Sequence, residues 1–234
     1  SYLTTFGIGS KTGAGLPGEN VGRLLAVKDW SGTTAPTVAF GQGYSLNAMQ
    51  ATSIFATLAN DGIRVSPTVI AGTSDASGNF TEFKNEKGVQ VVSASTAAKM
   101  RHMMESVVSS HGTAPSAAIP GYRVAGKTGT AWRYDVNCGC YSGYTASFIG
   151  FAPADAPAFV INVTIQDPKG GHYGGVLGGP VFKKVMTFVL QSRHIAPTGS
   201  DVVPIALNKA ELDKMARQAK KSEALKVSQA SSRG

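Results

Sequence analysis

The chain has 234 residues, of which 42% are hydrophobic and 15% charged, the length of one large domain or two small ones. No run approaches the ~18 consecutive apolar residues of a membrane helix, and the charge content is too low for a solvated disordered polymer. The net charge of +8, from 22 Lys/Arg against 14 Asp/Glu, lacks a compact basic run in the body, so a nucleic-acid partner is not expected.

The chain opens without an initiating Met, a charged n-region or an apolar h-region, so residues 1–6 read as the interior of a longer protein. Twenty-eight glycines without a G-X-Y period exclude collagen and mark turns or close backbone approaches. Residues 6–20 form a glycine-dense loop. Residues 45–61 read as a helix with Ser45 as N-cap, an apolar stripe of Ala48, Ala51, Ile54, Phe55, Leu58 and Ala59, and a stop at Asn60-Asp61-Gly62. Residues 63–72 and 80–92 are short strands around a turn at 73–79. A second helix spans Ala94 to Ser109, stopped by Gly112 and Pro115. Tyr122 to Ala131 and Tyr144 to Phe151 are strands, and Phe159 to Gln166 alternates as a half-buried strand does. Gly170 to Gly179 reads as a second glycine-rich loop. Pro180 then opens a helix to about Ser192, with Val181, Val185, Phe188 and Val189 on one face. Clustered strands with a closing helix give an α+β fold, an antiparallel central sheet flanked by helices. After Pro197 the composition shifts. Residues 198–234 form a basic tail, with seven Lys/Arg against four Asp/Glu in 201–234. Leu212, Met215, Ala216 and Ala219 give 209–227 a weak amphipathic pattern, which reads as a loosely packed tail rather than a functional helix.

Three motifs carry chemistry, with unequal weight. Gly121 to Thr128 satisfies G-x-x-x-x-G-K-[ST] literally, which would make the chain a P-loop NTPase. A P-loop follows a buried strand and opens a helix. Here Ala114 to Pro120 precede it and Gly129-Thr130 follow, and neither fits. S-x-N occurs at Ser45-Leu46-Asn47 and Ser77-Gly78-Asn79, where a helix cap and a hairpin turn explain it. K-T-G occurs at Lys11 and at Lys127, and only the second lies in an extended segment. There Lys127 offers a cation for a carboxylate or for proton transfer. Thr128 and Thr130 offer hydroxyls, and Gly129 clears room for a substrate backbone. Cys138-Gly139-Cys140 is either a pair of small turn residues or a C-x-C disulfide in an oxidising compartment. Two cysteines and four scattered histidines have no zinc spacing, so no metal and no cofactor is expected.

Lys127-Thr-Gly-Thr130-Ala131 resembles the K-T-G-T motif of penicillin-binding proteins. Gly13-Ala-Gly-Leu-Pro-Gly-Glu19 is similar to a segment of the class B members. Gly41 to Ser45, Met49 to Gly62, Phe148 to Ala154 and Gly179 to Met186 resemble the following elements in the family's order, over roughly residues 6–195. The likeness is greatest to the division-type septal D,D-transpeptidases. The resemblance implies the fold shared with serine β-lactamases, here incomplete. It also implies cross-linking of peptidoglycan stem peptides through a serine acyl-enzyme that β-lactams trap. Lys127, Thr128, Gly129 and Thr130 would bind the D-Ala-D-Ala end, with Lys127 and Thr130 in the catalytic set and the Thr130 N–H as half the oxyanion hole.

One departure is large. No lysine here has a serine three residues before it, so the S-x-x-K nucleophile motif is absent, and neither S-x-N stands in the family's order. The expectation is therefore a C-terminal part of a transpeptidase domain at 1–197, inactive alone, whose other motifs lie upstream of Ser1. Expected partners are stem peptides, β-lactams, the upstream half of the same domain and membrane division proteins. The location would be the extracytoplasmic face of the cell membrane, with the anchor outside this chain. That setting permits a Cys138–Cys140 disulfide. The competing readings are a non-catalytic cell-wall or divisome interaction module derived from the family, and the P-loop NTPase.

Overall fold

The computed structural model describes residues 2–84, 87–199 and 217, so the tail expected at 198–234 lies almost wholly outside the described residues. In chain order, α1 (Tyr2–Thr5) leads into the glycine-dense segment, followed by a 3-10 turn at Val27–Asp29 and α2 (Thr34–Ala39). Then comes α3 (Ala48–Ala59). Four short strands follow, β1 (Ile63–Arg64), β2 (Gly72–Ser74), β3 (Phe80–Glu82) and β4 (Val89–Gln90), with β1 paired to β4 and β2 to β3. Next are α4 (Ala94–Glu105) and 3-10 turns at Ser106–Val108 and Pro115–Ala117. Strands β5 (Ala125–Asp135), β6 (Cys140–Ala152) and β7 (Phe159–Gln166) form one antiparallel sheet in that order, and α5 (Gly174–Ser192) closes the fold. Among the described residues no helix is long and apolar enough to cross a membrane.

Opposite faces of β6 supply two cores, because side chains alternate along a strand. Phe148 meets Phe182, Met186 and Leu190 of α5, together with Val124 and Ile119. Phe151 meets Leu58 of α3, Met104 of α4, Ala125 and Ala154. The sheet is thus sandwiched between α5 and the α3–α4 pair. Phe148, Phe151, Phe182 and Met186 are fully buried, at about 2 kcal/mol or more of transfer free energy each.

Several boundaries differ from the sequence expectation. The N-cap of α3 is Asn47, not Ser45. The Asn47 side chain accepts from the Gln50 N–H, and the Gln50 side chain accepts from the Asn47 N–H, a complete capping box. Ser45 instead bridges Arg23. The two strands expected at 63–72 and 80–92 are four, in two small sheets. β5 runs four residues beyond Ala131, and β6 begins four residues before Tyr144.

The largest correction concerns α5. It begins at Gly174, so the supposed loop to Gly179 is half helix, and Pro180 stands in its second turn. The glycines allow this start. A Cβ on Gly174 would collide with the carbonyl oxygens of Ser147 and Gly129, and one on Gly178 would lie 2.9 Å from the Phe148 Cβ. The buried stripe of α5 is Phe182, Met186 and Leu190, whereas the expected Val181, Val185 and Phe188 are exposed. Both stripes have helical spacing, and only the glycine face can approach the sheet closely enough to choose between them.

Candidate active site

β5 is an edge strand of its sheet, so every second backbone N–H and C=O on its outer side lies outside the ladder. Lys127, Thr128, Gly129 and Thr130 stand in its first half, paired with Ile149, Phe148, Ser147 and Ala146 of β6. Lys127 and Thr128 are therefore strand residues, and the segment does not open a helix as a phosphate-binding loop does. The Lys127 ammonium donates to the Thr128 carbonyl at 2.9 Å and stays exposed. The Thr128 hydroxyl lies 3.2 Å from that of Thr113. Thr130 Oγ1 accepts from the Gly174 N–H, the first of α5, at 3.3 Å. An ammonium, two hydroxyls and the positive end of a 19-residue helix thus gather on one strand edge, a setting that favours a carboxylate ligand. A Cβ on Gly129 would also crowd the Ser147 hydroxyl, which would have to rotate to clear it.

Two supports were not legible as functional residues. The first is Gln50, only 1% exposed. Its amide nitrogen donates to the carbonyls of Ser10 (2.8 Å), Val21 (2.9 Å) and Gly7 (3.3 Å), and so ties the glycine-dense segment to α3. Within that segment the Glu19 carboxylate accepts from the Thr12 N–H at 2.9 Å and from the Asn47 amide at 3.2 Å. The Thr12 bonds hold its carboxyl below the usual range, with help from Asn47 and Lys11. The available signal was the Asn47-x-x-Gln50 spacing. The second support is Glu105, 1% exposed, whose carboxylate accepts two bonds from Arg123 at 2.6 and 2.8 Å just before β5. That bond raises the Arg123 pKa further, and the fork fixes where β5 starts relative to α4. A lone Glu and Arg eighteen residues apart give no sequence pattern.

Beyond Thr130 the hairpin of β5 and β6 projects outward. Cys138 and Cys140 are joined by a disulfide at its turn.

Comparison with known proteins matches residues 1–187 to the penicillin binding protein transpeptidase domain. Penicillin-binding protein PbpB of Mycolicibacterium smegmatis is 39% identical over 212 residues, covering 86% of this chain and 33% of that protein. Peptidoglycan D,D-transpeptidase FtsI of Escherichia coli is 34% identical over 217 residues, covering 88% of this chain and 34% of that protein. Penicillin binding protein 3 of Mycobacterium tuberculosis, solved in complex with ampicillin, superposes with a TM-score of 0.82 at 36% identity, over 88% of this chain and 48% of that one. The chain thus spans about a third of the length of the curated relatives it matches.

Proposed function

The chain belongs to the class B penicillin-binding protein transpeptidases, and from that premise we propose that the protein is a peptidoglycan D,D-transpeptidase of the septal, cell-division type. The observation that carries this reading is the K-T-G-T strand on an open sheet edge beside the first turn of α5. In this reading residues 1–197 are the C-terminal part of the transpeptidase domain and 198–234 a basic tail. Lys127 and the hydroxyls of Thr128 and Thr130 hold the terminal carboxylate of a D-Ala-D-Ala stem peptide. A serine from an S-x-x-K motif outside these 234 residues attacks the penultimate carbonyl carbon. The Thr130 N–H stabilises the resulting oxyanion, an effect worth ~10²–10³ in rate per donor. The C–N bond breaks, terminal D-alanine leaves, and an ester joins the serine to the peptide. An amine of a neighbouring stem peptide then attacks the ester, forming the cross-link and freeing the serine. β-Lactams acylate the same serine. The work takes place on the extracytoplasmic face of the cell membrane, alongside membrane division proteins.

Labelling with a fluorescent penicillin tests the reading. The full-length protein labels, and Lys127→Ala slows labelling by about a hundredfold, as expected for losing a charge-assisted contact to substrate. A full-length protein that takes no label sinks the reading. That outcome favours the alternative, a non-catalytic module derived from the family, for which the missing S-x-x-K within these 234 residues is the supporting observation.

A further inference from the structure

The outer half of the β5–β6 hairpin carries an aromatic face that is largely exposed, with only its Tyr144 end packed, against His172. Trp132 pairs across the strands with Tyr144, and Tyr134 with Tyr141. Their ring centroids are 4.7 and 5.8 Å apart. Residues directly opposite share a face, and so do residues two apart on one strand. A register shift between Trp132 and Tyr134 sets the two pairs, leaving the four rings on one side of the ribbon. Trp132 is 54% exposed, Tyr134 57% and Tyr141 62%. Cross-strand pairing alone does not account for this face. β-branched pairs also hold such ribbons, without leaving aromatic surface in water. Nor, among the described residues, does any phenol hydroxyl of Tyr134, Tyr141 or Tyr144 hydrogen-bond within the protein.

We propose that this aromatic face is a saccharide platform that binds the glycan strand of peptidoglycan, next to the strand that takes its stem peptide. The assignment rests on the transpeptidase reading above and adds a second substrate-binding region to it. A pyranose ring presents apolar C–H faces and a rim of hydroxyls. Exposed Trp and Tyr rings match the C–H faces, and free phenol hydroxyls reach the rim. The placement fits, because Trp132 follows Thr130 by two residues on the same face of β5. Tyr144 stacks on His172 at 4.4 Å, immediately before α5, so the aromatic surface is continuous with the K-T-G-T edge. A glycan lying there would deliver its attached peptide to Lys127 without crossing open solvent. Trp132 and Tyr134 lie about 7 Å apart along the strand, a spacing over which successive sugar units can rest. A lipid surface fits less well. Interfacial segments set aromatic residues beside an excess of Lys and Arg, whereas the charges of this ribbon, Arg133 and Asp135, cancel.

The test is a titration of the protein with glycan strands stripped of stem peptides, and with a tetramer of N-acetylglucosamine. Binding is read from Trp132 fluorescence in a Trp30→Phe background. Saturable quenching is expected. Tyr134→Ala with Tyr141→Ala should weaken it at least tenfold, while Tyr134→Phe with Tyr141→Phe, which keeps the rings, costs only a few-fold. If the double alanine variant loses its fold, NMR shift mapping on the wild-type chain decides, and the perturbed signals must fall within residues 132–144. Absence of saturable binding overturns the proposal. So does binding untouched by the alanine pair, perturbation elsewhere, or binding to phosphatidylglycerol vesicles in place of glycan. Fluorescent penicillin labelling of the full-length protein runs in parallel. Labelling without glycan binding removes the platform alone, whereas absent labelling removes the transpeptidase reading on which it rests.

Discussion

Residues 7–22 and 170–179 are both glycine-dense, yet their glycines serve different ends. In the first segment the backbone turns repeatedly through positive φ, and its shape is held from outside by Gln50 and by the Glu19 carboxylate. In the second, Gly174, Gly175, Gly178 and Gly179 are helical and buried, and their missing side chains let α5 touch Ser147 and Phe148 of β6, the Gly129 carbonyl of β5, and the segment from Thr113 to Ala117. One composition signal therefore hides two physical causes. Glycine permits an unusual dihedral in one place and a close approach in the other.

Replacing a close-approach glycine should have the largest effect. Gly174→Ala sets a methyl against the backbone carbonyls of Ser147 and Gly129, which have no rotamer by which to escape. Overpacking of this kind costs about 3 kcal/mol, or a drop of roughly 10 °C in melting temperature for a domain of this size. The first turn of α5 would lift from Thr130, so penicillin labelling of the full-length protein should slow as well. A melting temperature within 2 °C of wild type, by ~0.5 kcal/mol, would refute the close-approach account.

A smaller effect should come from cutting the external support of the first segment. Gln50→Leu keeps the volume but removes the donor that serves the carbonyls of Gly7, Ser10 and Val21. Losing these part-buried bonds, together with the Asn47 N–H bond that the same amide accepts, costs about 2 kcal/mol. Hydrogen exchange should speed up across residues 7–22 and remain slow in α5, where no bond of Gln50 reaches. The Glu105→Ala variant would behave differently. It strands Arg123 and loosens the start of β5 instead, by about 3 kcal/mol for a broken buried pair.

These contrasts show how much was legible in the sequence. The stop of α3 at Asn60-Asp61-Gly62, the bounds of β7 and the extended K-T-G-T segment follow from local chemistry and periodicity, and the structure has them there. The start of α5 does not, because helix propensity argues against four glycines while the close approach of neighbouring backbone and side chains requires them. Its buried face was illegible for a related reason. Val181, Val185 and Phe188 have the same spacing as Phe182, Met186 and Leu190, and periodicity cannot rank two apolar stripes. In the site, the strand that bears Lys127 was readable from its motif. The Glu105–Arg123 fork was not, since a tertiary ion pair leaves no spacing signature.

Within the first segment the comparison can be made finer. Gly15 has φ of +73° and nothing within 4 Å of an added Cβ, so only the dihedral penalises a side chain there. Gly15→Ala should cost about 1 kcal/mol, and Gly15→Asn less, since Asn tolerates the left-handed region. Gly22 has φ of +72° too, but a Cβ would strike the Ser45 carbonyl. Gly22→Asn should therefore gain no such relief. Chemical denaturation of the three variants separates dihedral from contact.

The smallest effect expected is a selective response to acid. The Thr12 N–H holds the Glu19 carboxyl low, so the folded state prefers it ionised. A group with a depressed folded pKa contributes stability above its ordinary range and loses it as pH falls through the lowered value. Glu19 is only half-buried, so solvent screening keeps the contribution small. The contacts that seat α5 on β6 involve glycine backbone and apolar side chains, which do not titrate. Lowering the pH from neutral to below the carboxylate range should thus reduce the hydrogen-exchange protection factor at Thr12 and its neighbours, after correction for the slower intrinsic exchange in acid, before it affects Phe182 or Met186. Glu19→Gln should show the faster exchange already at neutral pH and respond less to acid. Equal acid sensitivity in the two segments would mean that Glu19 does not hold the first one, and that Gln50 alone sets its shape.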